Sequence, residues 1–355
     1  MAELQEEHYF SQERSSFSIG QRDPLGVLSS TREVILRARF VQIDTTQIER
    51  LARALTSPQN GETGQAVFTA PAWPAQYHFF DGSERTVNWL LLLDALNFCF
   101  WAEKGQPRWQ IAYRGEMLNG YWAEAAALRR AVEEGKPLWD ARYLSNIDRL
   151  ELAAIFRGPS PDGPSIPLFE ERLRCAREVG LVLLERFEGQ FSRLVEQAKQ
   201  SGVALALALA EHFSSFRDVA TYDGREVRFF KRAQICVADL SGAFGGKSWG
   251  AFTDMHELTV FADYKLPQVL RHHGVLIYAP DLAERIDRLE LLASGSMEEV
   301  EIRAATIWAC ELLRRAIVRV SGQAVTAAEI DQLLWHLGQD AAEMRPYHRV
   351  RTLFY

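Results

Sequence analysis

The stretch FADYKLPQVLRHHG, residues 261–274, sets one acid, Asp263, in an apolar frame. A carboxylate there either caps a helix or does chemistry. Pro267 suits a first helical turn, so Asp263 is expected just upstream of a helix N-terminus. Its four-residue offset from Pro267 is awkward for a plain cap, and the residues alone leave both roles open. A second group lies in LDALNFCFW, with Asp94, Asn97, Phe98, Phe100 and Trp101. On one continuous helix, Asp94, Asn97, Phe98 and Trp101 share a face at i, i+3, i+4, i+7 spacing. An acid and an amide beside aromatics could form a slot for a flat heteroaromatic ring, the aromatics stacking and the polar groups reading its edge. The structural alternative is a buried asparagine bonded to backbone. Tyr121 and Trp122 open a helix in GYWAEAAALRRA, and FFKRAQICVADL carries Lys231, Arg232, Gln234 and Asp239. Lys231 stands at a strand-to-helix junction. The tail residues His348, Arg349, Arg351 and Tyr355 could meet a phosphate or lie solvated.

Other chemistries lack their residues. In SGAFGGKSWG only three residues separate Gly242 from Gly246-Lys247-Ser248, whereas a Walker A loop needs four and follows a strand. A glycine loop is the better reading. HELTV at 256–260 begins like a zincin motif but has Val260 where the second histidine belongs. The adjacent His272 and His273 cannot both face one metal from a helix, so no metal site is expected. No nucleophile elbow or dinucleotide fingerprint occurs.

The elements that must position these residues are mostly helical. Ser29, Ser30 and Thr31 offer a cap for a first helix running through Arg39, FVQI suits a short strand, and DTTQIERLARAL has helical spacing. Residues 57–82 are rich in Gly, Pro and Ala, with isolated aromatics, and read as a loop or a short-stranded segment. Ser83 opens SERTVNWLLLLDALNFCFW, apolar on nearly all sides and therefore central. RWQIAY reads as a strand, and GYWAEAAALRRAVEEG as a helix closed by Gly135. Further helices are expected around 140–157 and over 168–187, 188–200, 203–219, 280–293, 297–320 and 326–337. Strands do not alternate regularly with helices, so a doubly wound sheet is not expected. The chain reads as mainly α with a few short strands. Residues 1–20 form a tail and 21–355 a single catalytic domain, with GPSPDGPSIP (158–167) as a subdomain break.

Composition is that of an ordinary globular protein, 47% hydrophobic and 25% charged over 355 residues, with nine tryptophans. The net charge of −7 argues against duplex nucleic acid as a partner. Cys99, Cys175, Cys236 and Cys310 lie far apart and read as buried free thiols in a reducing compartment. No apolar leader is recognisable at the N-terminus, and the apolar run over residues 203–210 is too short to span a bilayer. A cytoplasmic monomer is expected.

Five long strings carry a resemblance: WLLLLDALNFCFW, GYWAEAAALRRAVEEGKPL, FFKRAQICVADLSGAF, DMHELTVFADYKLPQVLRHHGVL and EVEIRAATIWACELLRRA. They are collinear and unusual in composition, and they resemble the queuosine salvage proteins from about residue 25 to the C-terminus. The resemblance implies a fold similar to helical DNA glycosylases. It also implies hydrolysis of the N-glycosidic bond of queuosine 5′-monophosphate to queuine and ribose 5-phosphate, without metal or organic cofactor. It makes Asp263 the catalytic carboxylate, with Lys231 beside it or at the phosphate. Asp94, Asn97, Phe98, Phe100, Trp101, Tyr121 and Trp122 would then hold the base. Lys231, Gln234, Asp239, His348, Arg349 and Arg351 would hold the ribose and phosphate. Two departures stand out: Lys265 where family members often have Arg, and Glu124-Ala125 where they have Leu-Cys. Two other functions fit a helical glycosylase-like chain: base excision from nucleic acid, and queuine binding without turnover.

Overall fold

The structure, a computed structural model, describes residues 17–20, 22–56, 68–339 and 343–355. Most of the expected N-terminal tail, and residues 57–67 of the expected loop, lie outside these. The chain is mainly α, with short antiparallel strand pairs. No described helix is long and apolar enough to cross a membrane. The four cysteines are buried and free. Two compact units are present. One takes the described residues of Met1–Pro71, Val219–Phe229 and His256–His348; the other takes Ala72–Asp218, Phe230–Met255 and Arg349–Tyr355.

In the first unit, helix Met297–Ser321 buries Val300, Ile302, Ile307, Trp308 and Leu313. The helices Val27–Ile35, Thr45–Thr56, Lys265–His272 and Ala327–Leu337 pack on it. Burying each large apolar side chain stabilises by about 1.5–3 kcal/mol. Strand Val41–Ile43 pairs with Leu276–Tyr278, and Val219–Tyr222 with Arg225–Arg228. The first helix differs from expectation. It starts at Val27, behind a left-handed Gly26, and ends at Ile35. Asp23, not Ser29–Thr31, caps it, accepting from the N–H groups of Leu28 and Ser29 at 3.2 and 2.7 Å. The signal was the acid three residues ahead of the turn.

In the second unit, helix Glu84–Leu96 is buried at every residue from Thr86 onward. The helices Gly120–Glu133, Phe169–Arg186, Phe191–Gln197 and Lys231–Ala243 surround it. It stops at Leu96, with Asn97 outside helical geometry and Cys99 at φ 47°. The shared helical face expected for Asp94, Asn97, Phe98 and Trp101 therefore does not exist. Two buried arginines from distant helices end it. Arg232 donates to the carbonyls of Asp94 (3.3 Å) and Ala95, and Arg172 donates to that of Phe98. Unpaired C-terminal carbonyls and the negative end of the helix dipole favour such cations. The backbone N–H of Cys99 then bonds to the Tyr355 carbonyl at 3.0 Å. Gln110–Tyr113 and Glu116–Asn119 form a hairpin, and residues 158–167 lie within this unit. At Gly180 helix Phe169–Arg186 meets helix Ala141–Asn146. A Cβ there would fall 2.2 Å from the Ser145 nitrogen, so only glycine fits.

Candidate functional site

Asp263 belongs to the first unit. Helix Lys265–His272 begins two residues before Pro267, so Asp263 does cap it. Its Oδ1 accepts the backbone N–H groups of Lys265 at 2.7 Å and Leu266 at 2.9 Å. The offset from Pro267 misled because proline tolerates any position of the first turn, not N1 alone. The segment before it is held on both sides. The Phe261 N–H donates to Asp331 at 2.7 Å, and Arg303 donates to the Ala262 carbonyl at 3.2 Å. The Arg303 guanidinium lies 3.9 Å from the centre of the Phe229 ring and 3.7 Å from Glu299. Lys265 donates to the Gly338 carbonyl at 2.8 Å. Burial, with the charges of Asp331, Asp263 and Glu311 added, pushes the Cys310 thiol well up, so it is not a nucleophile. His348 is buried in this unit and driven down to about 3, by burial first and the Arg303 charge second. It is neutral and offers a phosphate no charge.

Lys231 opens helix Lys231–Ala243 in the second unit. The turn into it needs a left-handed Phe230, and Asp218 braces it by accepting the Lys231 backbone N–H at 3.1 Å. The lysine is buried and its Nζ donates to the Asn97 backbone carbonyl at 3.4 Å. Two acids face it. Asp94 is fully buried, with the Cys236 thiol and the Asp239 carboxyl within hydrogen-bonding reach of its carboxyl group. Burial raises its pKa far above the usual carboxylate range, and the neighbouring Asp239 raises it further. The Cys236 thiol and the Lys231 charge oppose this. Burial raises Asp239 above the usual carboxylate range as well, against the contacts of Trp73, Tyr121, Asp94 and Lys231. Two buried carboxyls this close do not both ionise readily near neutral pH.

The Tyr121 hydroxyl lies 3.3 Å from Asp239 Oδ2 and 2.8 Å from His78 Nε2. His78 Nδ1 lies 2.6 Å from the Pro74 carbonyl oxygen. The sequence reading missed His78 and Trp73. Both sit in the Gly/Pro/Ala-rich segment that reads as a loop, and the only signal was an aromatic run, QYHFF, without periodicity. The Trp122 ring packs against Tyr121 at 5.2 Å and Tyr77 at 5.4 Å.

Other expected site residues have structural surroundings. Phe98 is fully buried, with the guanidinium groups of Arg172 and Arg232 over its ring at 4.3 and 5.1 Å. Phe100 packs on Arg172 at 5.2 Å, and Trp101 lies under Arg349 at 5.5 Å. Arg349 also donates to the Ala102 carbonyl at 3.0 Å, and Arg351 pairs with Glu103. Gln234 is buried. Glu124 lies 3.9 Å from Arg172, too far for a hydrogen bond, and burial drives it up to about 8 against the pull of Arg172, Arg232 and Lys231. A groove of about 740 Å³ in this unit is lined by Arg85, Trp139, Arg142 and Trp249 among others, and by none of the residues singled out above. The chemistry-bearing groups are thus a capped, braced carboxylate in one unit and, in the other, a buried lysine facing two carboxyls and a Tyr–His pair.

The chain is similar to known proteins along most of its length. The family described as queuosine salvage protein matches residues 77–355. A protein of Sphaerobacter thermophilus named queuosine 5′-phosphate N-glycosylase/hydrolase is 51% identical over 334 residues, covering 94% of this chain and 98% of that protein. Proteins of the same name from Mus musculus and Bos taurus are each 35% identical. They cover 94% and 92% of this chain and 99% and 97% of their own lengths.

Proposed function

Because the chain belongs to the queuosine salvage protein family, we propose that it hydrolyses the N-glycosidic bond of queuosine 5′-monophosphate, releasing queuine and ribose 5-phosphate. The observation that carries this reading is the 51% identity, over nearly the whole of both chains, to a protein named for that activity.

The reaction passes through an oxocarbenium-like ribosyl cation. A carboxylate beside the anomeric carbon lowers that barrier by stabilising the cation or orienting a water. Asp263 takes this role: it is nearly buried and its Oδ1 is fixed by two backbone donors. Such preorganisation matters because the group need not rearrange as charge develops. The departing base is a 7-deazaguanine with no N7 to protonate, so negative charge moves into its six-membered ring. Donors that meet this charge only as it develops accelerate departure. Lys231 contributes electrostatically, toward the 5′-phosphate or the developing anion, and hydrolysis needs no Schiff base. Asp94, Asn97, Tyr121 and Trp122 are assigned to the base, and Gln234 and Asp239 to the sugar-phosphate side.

Mass spectrometry of purified protein with queuosine 5′-monophosphate tests the reading. Free queuine and ribose 5-phosphate are expected, with slower release from the nucleoside. Queuine bound without turnover, or no release above a protein-free control, overturns it. A gel shift with duplex DNA at low salt is expected to show no binding, in keeping with the net charge of −7.

A further inference from the structure

The chain of contacts from Pro74 to Asp239 has a direction. The Pro74 carbonyl can only accept, so at 2.6 Å it requires a proton on His78 Nδ1. His78 is 1% exposed. Burial, reinforced by the Arg129 charge, lowers it to about 4, so at neutral pH the ring carries that single proton. His78 Nε2 is then a bare acceptor, and the Tyr121 hydroxyl, 2.8 Å away, must donate to it. A phenol has one proton. With that proton on the His78 side, the Tyr121 oxygen faces Asp239 Oδ2 at 3.3 Å as an acceptor. Two oxygens at this separation are hydrogen-bonded only if the carboxyl supplies the proton.

We propose that His78 is a positioning residue: by accepting the Tyr121 proton it leaves the Tyr121 oxygen as an acceptor and holds Asp239 in its neutral, hydrogen-bond-donating form. The groups facing Asp239 are Asp94, Lys231, Cys236, Tyr121 and the Trp73 indole, with Glu124 next to Asp94. Of these only Lys231 carries positive charge; burial is what works against ionisation of Asp239, while the Trp73, Asp94 and Lys231 contacts favour it. The Tyr121 donor that would otherwise help Asp239 ionise is turned away. Resting on the glycosylase reading, the consequence is electrostatic. A neutral Asp239 limits the carboxyl pair beside Lys231 to one negative charge at most, so the region does not repel a phosphate-bearing nucleotide.

Infrared difference spectra of the substrate-free protein test this. Wild type minus Asp239→Asn at neutral pH is expected to show the carbonyl stretch of a protonated carboxyl, shifted by deuterium exchange. His78→Leu frees the Tyr121 hydroxyl to turn and donate to Asp239, so the band is expected to vanish. His78→Gln can accept through its own carbonyl and keeps the band. Adding Tyr121→Phe to His78→Leu removes the turned donor and brings the band back. A purely structural role for His78 predicts no such loss and return. In kinetics, His78→Leu is expected to raise KM for the monophosphate progressively with pH while changing kcat less. An ionised Asp239 in the wild type, a proton found on Asp94 alone, or a band unmoved by His78→Leu overturns the proposal. The wild-type comparison with Asp239→Asn decides even if the His78 variants fail to fold. Because the spectra need no substrate, they stand apart from the glycosylase reading, which fails only if wild type releases no queuine.

Discussion

Arg303 donates its Nε–H to the Ala262 carbonyl at 3.2 Å, so the residue immediately before Asp263 is tied to helix Met297–Ser321. The same guanidinium stacks on Phe229 and faces Glu299 across 3.7 Å, all of it buried. One planar cation thereby serves a carbonyl, a ring and a carboxylate, which lysine cannot do.

Arg303→Ala is expected to lower unfolding free energy by about 3–5 kcal/mol, because a buried carboxylate and carbonyl lose their partner. Arg303→Lys restores a charge but not the fork, and its queuine release should fall by about tenfold to a hundredfold through a displaced Asp263. Urea unfolding and initial rates check the pair. Wild-type rates in Arg303→Lys would show that the brace does not set the position of the carboxylate.

Asp263→Asn separates capping from charge. Asparagine accepts at helix N-termini as well as aspartate does, so stability should change by less than about 1 kcal/mol. Queuine release should be abolished. Asp263→Ala is expected to lose about 1 kcal/mol as well as activity. Retained turnover in the asparagine variant would reduce Asp263 to a cap.

Glu124 predicts a pH dependence of stability. Its pKa in the folded protein is raised to about 8 from the ordinary 4.5. Between those values the folded chain holds a proton that the unfolded chain has lost, so stability falls as pH rises through the window. The full effect is on the order of 5 kcal/mol. Glu124→Gln should flatten this part of the curve, as thermal melts from pH 5 to 8 can show. An identical slope in both proteins would rule Glu124 out as its source.

Gly180→Ala should cost about 1–3 kcal/mol or more. Its Cβ meets the Ser145 nitrogen and, at 2.6 Å, the Ala141 carbonyl, both backbone atoms that cannot swing away. A melting temperature equal to wild type would mean that the two helices separate at little cost. The substitution lies on a helix carrying none of the proposed site residues, so activity per folded molecule should persist.

The helical character of the chain was legible because helix periodicity and caps act within four residues. Ser83 caps its helix, accepting the Arg85 N–H at 3.1 Å, and Gly135 takes the left-handed φ of 88° that closes Gly120–Glu133. The strings around Asp94, Lys231 and Asp263 were distinctive enough to point to the family. Tertiary structure alone decided where Glu84–Leu96 ends, since the cations that end it come from Arg172 and Arg232, 74 and 137 residues from the carbonyls they bind. It also set the Arg172 and Arg232 guanidinium groups over the buried Phe98 ring. It brought His78 to Tyr121 across 43 residues and Tyr121 to Asp239 across 118. Local periodicity carries no information about such pairs. They form only when a core closes around polar groups that then have to find partners at long range, because leaving them unpaired away from water costs more than any local preference supplies.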